Sequence, residues 1–263
     1  ETSDALQAVE RELMPKIAAH QSWLSLHAGV FKRVDALYKK RESLGLAPEQ
    51  LRLLERVHLD YVMEGALLEG AARKRYAAIA EELAGLFTTF SQWVLADEAA
   101  FCLELKTDDD RAGLPEFVLD AAKSVAADKG LGGYAINLSP SLVDPFLTYS
   151  TRRDLREQVW RAFKARGESR AERDTKPVAE KILRLRAELA GLMGYASYAD
   201  YALVDRMAKK PAAVDDLLMR VWKPARARAL EEQKDLEAIA RKEGFSGPIM
   251  GWDWNFYAEK LRQ

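Results

Sequence analysis

Apolar side chains return every three or four residues along almost the whole of this chain, a spacing that a helix satisfies and a strand does not. Leu6, Val9, Leu13 and Ile17 mark a first amphipathic stretch, which Pro15 is expected to bend. Leu26, Val30, Val34, Leu37, Arg41 and Leu44 mark a second, closed by Gly45. Pro48 suits a first helical position and leads Leu51, Leu54, His58, Tyr61 and Val62 along one face. A long helix follows from Ala71 to Ala100, with Tyr76, Ile79, Leu83, Phe87, Phe90 and Val94 expected inward. Four such segments on short turns predict an N-terminal bundle of antiparallel helices over residues 1–101.

The rhythm then breaks. Residues 102–107 and 134–139 alternate apolar with polar, so both are predicted strands. Between them Pro115 to Lys129 reads as a helix ended by Gly130, which makes residues 102–145 a small α/β insertion rather than a tight hairpin. Pro140-Ser141-Leu142-Val143-Asp144-Pro145 reads as a loop at a subdomain boundary. Helices resume near Thr151 and fill residues 146–263. Gly194 suits the left-handed position beyond one of them, with Tyr195 making the contact that follows, and Ser197 caps the next with Asp200 three residues on. Pro211 opens a long helix carrying Leu217, Val221, Ala225 and Ala229 on one side, kinked at Pro224 and ended by Gly244. A last helix starts at Trp252-Asp253-Trp254, with Asp253 expected to cap it and Trp252 to pack on Tyr257 as a staple. Glu1 stands where a Met would begin a chain, and no Gly, Asn or Pro follows Leu261, so the sequence is expected to be part of a longer protein. The expected fold class is mainly α with one small β element.

Charge narrows the partners. The 263 residues carry 40 basic and 41 acidic side chains, without the basic excess of a nucleic-acid or polybasic membrane binder. Lys39-Lys40-Arg41 and Arg73-Lys74-Arg75 are interspersed with Glu and read as solvated helix faces. No apolar run approaches the ~18 residues of a membrane helix. One cysteine, Cys102, excludes an internal disulfide framework and fits a reducing compartment, so a cytoplasmic location is expected, with the periplasm left open.

Residue by residue, the sequence assembles no catalytic centre. His20, His27 and His58 lack the i, i+4 spacing that places two imidazoles on one zinc; His58 is expected to be packed and hydrogen-bonded, and the other two to lie at the surface. Asp108-Asp109-Asp110 lacks the Gly and distal Glu of a calcium loop and reads as a solvated turn. Cys102, with no neighbouring His, reads as a buried structural thiol. Gly130-Leu131-Gly132-Gly133 has its helix before and its strand after, the reverse of a phosphate cradle. Trp252 and Trp254 could stack on a ligand, but core packing accounts for them. No catalytic, cofactor-binding or metal-ligating residue is assigned.

A set of segments in fixed order carries a resemblance. They are Tyr134-Ala135-Ile136-Asn137-Leu138, Arg152-Arg153-Asp154-Leu155-Arg156-Glu157, Leu183 through Gly194-Tyr195, Ser197-Tyr198-Ala199-Asp200-Tyr201 to Met207-Ala208-Lys209, and Trp252-Asp253-Trp254-Asn255-Phe256-Tyr257. Together they resemble the zinc metallopeptidases of the thimet oligopeptidase, neurolysin, oligopeptidase A and peptidyl-dipeptidase group. Leu44-Gly45-Leu46 through Leu53-Leu54-Glu55-Arg56 look most like the peptidyl-dipeptidase branch, so the resemblance covers nearly the whole chain. It implies the helical part of a two-lobed enzyme with a deep channel for short peptides. It also implies one zinc, held in that family by a His-Glu-x-x-His helix and a downstream Glu. No position here matches that motif, so zinc is expected in the complete parent and not in this chain. The expected partners are short peptides, as substrates of the parent, and a C-terminal catalytic lobe; this chain alone is predicted inactive. The alternative is a self-contained helical module that binds a partner helix or peptide in a groove.

Overall fold

The computed structural model describes residues 3–263. Eleven α-helices and one two-stranded sheet make up its regular structure, with three short 3-10 turns between them. The described chain divides into two compact units, one of residues 3–92 with 176–214 and one of residues 93–175 with 215–263.

The first unit contains α1 (Asp4–Ser25), α2 (Ala28–Lys39), α3 (Pro48–Met63), most of α4 (Gly70–Ala100), α8 (Thr175–Leu192) and α9 (Tyr198–Leu203). The predicted second helix is divided, because α1 runs on to Ser25 and α2 begins only after His27, whose ring nitrogen accepts the amide of Val30. Gln50 reaches back to the amide of Ala47 and fixes the start of α3 behind Pro48. On α8 the residues Val178, Ile182, Leu185 and Leu189 are buried at intervals of four, three and four, the period of a helix with one dry face. Its end is a Schellman turn: Gly194 takes φ 80°, its amide reaches Gly191 O, and the amide of Tyr195 reaches Ala190 O.

One part of the expected inward face of α4 is not inward. Tyr76, Ile79 and Leu83 are buried, but Phe87 and Phe90 are 40% and 36% exposed, and the buried positions in this later part of the helix are Thr88, Gln92 and Asp97. A polar clasp explains the change. The Gln92 amide donates to Gln7 O and to the Glu10 carboxylate, and its oxygen accepts from Arg11, so α1 is held to α4 through hydrogen bonds. The apolar side chains Leu6, Val9, Leu13 and Ile17 of α1 remain exposed.

The second unit is built around the sheet. β1 (Leu103–Glu104) and β2 (Ala135–Ile136) are antiparallel with Leu103 opposite Ile136, and Leu105 N adds a bond to Tyr134 O. Both strands are shorter than the alternation suggested. On them pack α5 (Glu116–Asp128), through Val118, Ala122 and Ala126, and α6 (Pro140–Tyr149), through Leu142, Val143, Phe146 and Leu147. The segment from Pro140 to Pro145 is therefore helix and core, not a boundary loop. Pro140 occupies the first helical position, where no amide is needed, and the carbonyl that Pro145 leaves unbonded belongs to the exposed Ser141, where water can serve it.

α7 (Arg153–Lys164), α10 (Pro211–Lys242, passing into this unit at Asp215) and α11 (Trp254–Arg262) complete the unit. The end of α10 repeats the Schellman pattern at Gly244, with φ 84° and the amide of Phe245 on Ala240 O. Leu236 and Ala240 near that end pack with Phe256 and Tyr257 of α11.

Candidate functional site

The side chains capable of chemistry are dispersed, and most are engaged with one another. Among the described residues no three of the His, Cys, Asp and Glu side chains come together as a metal site. His58 hydrogen-bonds Asp35 at 3.2 Å and lies flat on Tyr38, with ring centres 3.8 Å apart, as its inward position predicted. His27 caps α2, and His20 stacks on Trp23. These residues do not fit a zinc ion: His58 is engaged with Asp35 and Tyr38, His20 and His27 lie on either side of Trp23, and no carboxylate pair converges on any of them.

The acidic run at 108–110 folds into a 3-10 turn whose members differ. Asp108 is fully exposed, whereas Asp110 accepts the amides of Lys106 and Thr107 at 3.0 and 2.9 Å. The Thr107 amide, helped by Arg152, holds the Asp110 carboxyl below the usual aspartate range against the opposing effect of burial. Arg152 contacts Asp109 at 2.9 Å, Asp110 at 2.6 Å and Asp154 at 2.7 Å, so this cluster pins a loop to the start of α7. Cys102, expected to be buried, is exposed, because it lies one residue ahead of the short strand and outside its pairing.

Asp253 is the most tightly held charge. Its side chain is fully buried and takes Arg153 at 2.8 Å, Arg156 at 3.0 Å and the amide of Met250 at 3.1 Å. Arg156 is also buried and gives its remaining donors to Trp252 O and Ser150 O. Burial lowers the Arg156 pKa, and Asp253 opposes that shift. Asp253 sits at the N-cap position of α11 but makes no side-chain cap bond, since the two guanidinium groups take its oxygens. The staple is replaced as well. Trp252 packs edge-on against Trp160 at 5.5 Å in the sheet-side core, while Tyr257 belongs to the cluster with Leu236. Gly251 makes that ring contact possible, since a Cβ there would fall 2.5 Å from the Trp160 ring.

Asp97, near the end of α4, forms a second node. One of its oxygens accepts the amides of Gly167 and Ser169 at 2.8 and 3.3 Å, and the neighbouring Glu98 pairs with Arg166. Burial works to raise the Asp97 carboxyl, but the Ser169 hydroxyl and the two amides outweigh it and hold it below the usual range. In the first unit the corresponding node is Arg75, which grips Glu188 with two nitrogens and Glu82 with a third. Neither node was singled out from the sequence, where each residue is one charge among many on a helix face.

Comparison with known proteins first gives a class: the chain is homologous along its length to oligopeptidases. It is 32% identical over 263 residues to dipeptidyl carboxypeptidase of Escherichia coli K12, covering 100% of this chain and 39% of that protein. To oligopeptidase A of the same organism it is 32% identical over 266 residues, covering 99% of this chain and 39% of the relative. Oligopeptidase A of Haemophilus influenzae gives 31% over 265 residues, with the same shares. Residues 146–263 match the sequence family described as peptidase family M3. Over those residues the chain is similar to that family, and as a whole it spans about two-fifths of the length of the curated relatives it matches.

Proposed function

We propose that this chain is the helical, non-catalytic portion of a zinc-dependent oligopeptidase of the peptidyl-dipeptidase kind, providing scaffold and channel wall for short peptides. The observation that carries this reading is similarity over the full length of the chain at about one-third identity, combined with coverage of 39% of the relative's length. A family zinc would polarise a peptide carbonyl and activate water when bound. The residues present here hold loops and helix ends instead. Arg152 fixes the 108–110 turn, the Arg153, Arg156 and Asp253 node fixes the start of α11, and Asp97 fixes the loop after α7. No helix of the described residues is long and apolar enough to cross a membrane, and a cytoplasmic location is the reading that suits the single exposed thiol.

Exposure on α10 supports the scaffold role. Leu217, Leu218, Met219, Val221 and Trp222 are each between 54% and 59% exposed, a density of uncovered apolar side chains that suits an interior surface of a larger fold. The test is cleavage of a quenched fluorescent oligopeptide, with and without added zinc, by this chain and by the complete parent. Chelator-sensitive turnover by the parent and none by the chain is expected. Turnover by the purified chain, surviving a contaminant control, would place the catalytic residues among those assigned here to scaffold.

A further inference from the structure

A cleft of about 670 Å³ in the first unit lies between two helical stripes of the same period. One wall is Ala19, Ser22 and Trp23 of α1 with Leu26 just past its end; the other is Lys74, Ala77, Ala78 and Glu81 of α4, each set following i, i+3, i+4, i+7. His27 and Ala28 line it beyond the end of α1, and Arg73 beside Lys74. Its volume falls within the roughly 300–1,000 Å³ of small-molecule sites. The lining combines a floor of small residues, over which a backbone can lie closely, with an aromatic wall: Trp23 is 61% exposed, and His20 and His27 pack around its ring at 6.0 and 5.5 Å.

The charges lining this cleft are free to meet a ligand. Arginines such as Arg56, Arg75, Arg152 and Arg166 face carboxylates, whereas among the described residues Arg73, Lys74 and Glu81, like Lys32 and Arg226 elsewhere on the surface, have no charged partner. Arg73 donates through Nη2 to Ala66 O, and its Nε is out of water with no hydrogen-bond partner. Cations thus stand at one end of the α4 stripe and a carboxylate at the other. Seven residues separate Lys74 from Glu81, about 10 Å along the helix at ~1.5 Å per residue. An extended chain of three residues spans about the same distance at roughly 3.3–3.6 Å each.

We propose that this cleft binds a free peptide of about three residues, its carboxylate at Arg73 and Lys74, its ammonium at Glu81 and an apolar side chain against Trp23. The choice of a peptide over another zwitterion rests on the oligopeptidase reading. Binding is measured without turnover, so failure here leaves that reading standing, and an inactive parent would leave a binding result intact.

The experiment is calorimetric titration of the 263-residue chain with the tripeptide Ala-Phe-Ala, its N-acetyl form and its C-terminal amide. Saturable binding of the free tripeptide is expected, weakened about tenfold or more by either block, a change of about 1.4 kcal/mol. Lys74→Gln, which leaves Arg73 in place, should weaken the preference for the free acid over the amide several-fold and keep the preference for the free amine. Glu81→Gln should do the converse, and Trp23→Ala should weaken all three ligands, with melting temperatures equal to the parent chain confirming that each variant folds. Equal affinity for the three forms, absence of saturable binding, or preferences that survive both charge substitutions would each overturn the proposal.

Discussion

Asp253 shows how burial changes what a single charge does. Its carboxylate is dry and has two guanidinium partners, one of them, Arg156, almost equally dry. An ion pair of this kind gains little over an apolar pair, but removing one partner leaves the other charge buried without its counterion. Asp253→Ala is therefore expected to cost about 3–5 kcal/mol in urea unfolding, because Arg156 loses its counterion and keeps only carbonyl acceptors. Arg153 is 35% exposed and its loss leaves Asp253 with Arg156, so Arg153→Ala should cost clearly less, about 1 kcal/mol. Equal losses in the two variants would mean that the cost comes from packing at Trp252 and not from the buried charge.

Elements were legible wherever one local rule decided them. Gly194, Ser197 and Gly244 announced helix ends and a cap that the structure contains in full, because each depends on neighbours four residues away or fewer. The places where the sequence misled are those where a distant group competes for the same atoms. Asp253 has the composition of a cap, yet its oxygens go to arginines about a hundred residues away. Pro140 and Pro145 have the look of loop punctuation, yet Leu142, Val143, Phe146 and Leu147 supply a buried face that outweighs one missing helical bond. Phe87 and Phe90 follow the helical period, yet the Gln92 clasp, whose partners Gln7, Glu10 and Arg11 lie over eighty residues away, turns another side of α4 inward. The three nodes that hold loops were illegible for the same reason: their partners are set by tertiary folding.

Glycine positions permit a sharper test at this scale. Gly194 and Gly113 both adopt positive φ, 80° and 84°, but a Cβ at Gly194 would meet nothing, whereas one at Gly113 would fall 2.4 Å from the Tyr149 carbonyl. Gly194→Ala should therefore cost about 1–2 kcal/mol, the left-handed backbone penalty alone. Gly113→Ala adds a clash with backbone that cannot rotate away, and it should be the more damaging of the two in thermal melts. Equal losses would show that the 112–115 turn relaxes freely from the end of α6.

For the molecule as a whole, the ordinary balance between covered and uncovered apolar surface fails along α10. Every residue from Asp215 to Leu230 is exposed, and within that run Leu218 and Trp222 stand one turn apart on the same face, with Leu217 and Val221 beside them. Water-exposed apolar patches of this kind drive association. The purified chain is accordingly expected to show a concentration-dependent rise in sedimentation coefficient. The double substitution Leu218→Glu, Trp222→Lys should suppress that rise while changing the chain's stability by no more than about 0.5 kcal/mol, since both side chains are more than half exposed. The same two substitutions in the complete parent separate two accounts of the bare helix. If α10 is covered by the rest of the peptidase, placing charges there buries them without partners and should destabilise the parent by several kcal/mol. If the helix is bare in the parent as well, the substitutions will be as mild there as in the isolated chain, and α10 will have to be read as a surface for another molecule.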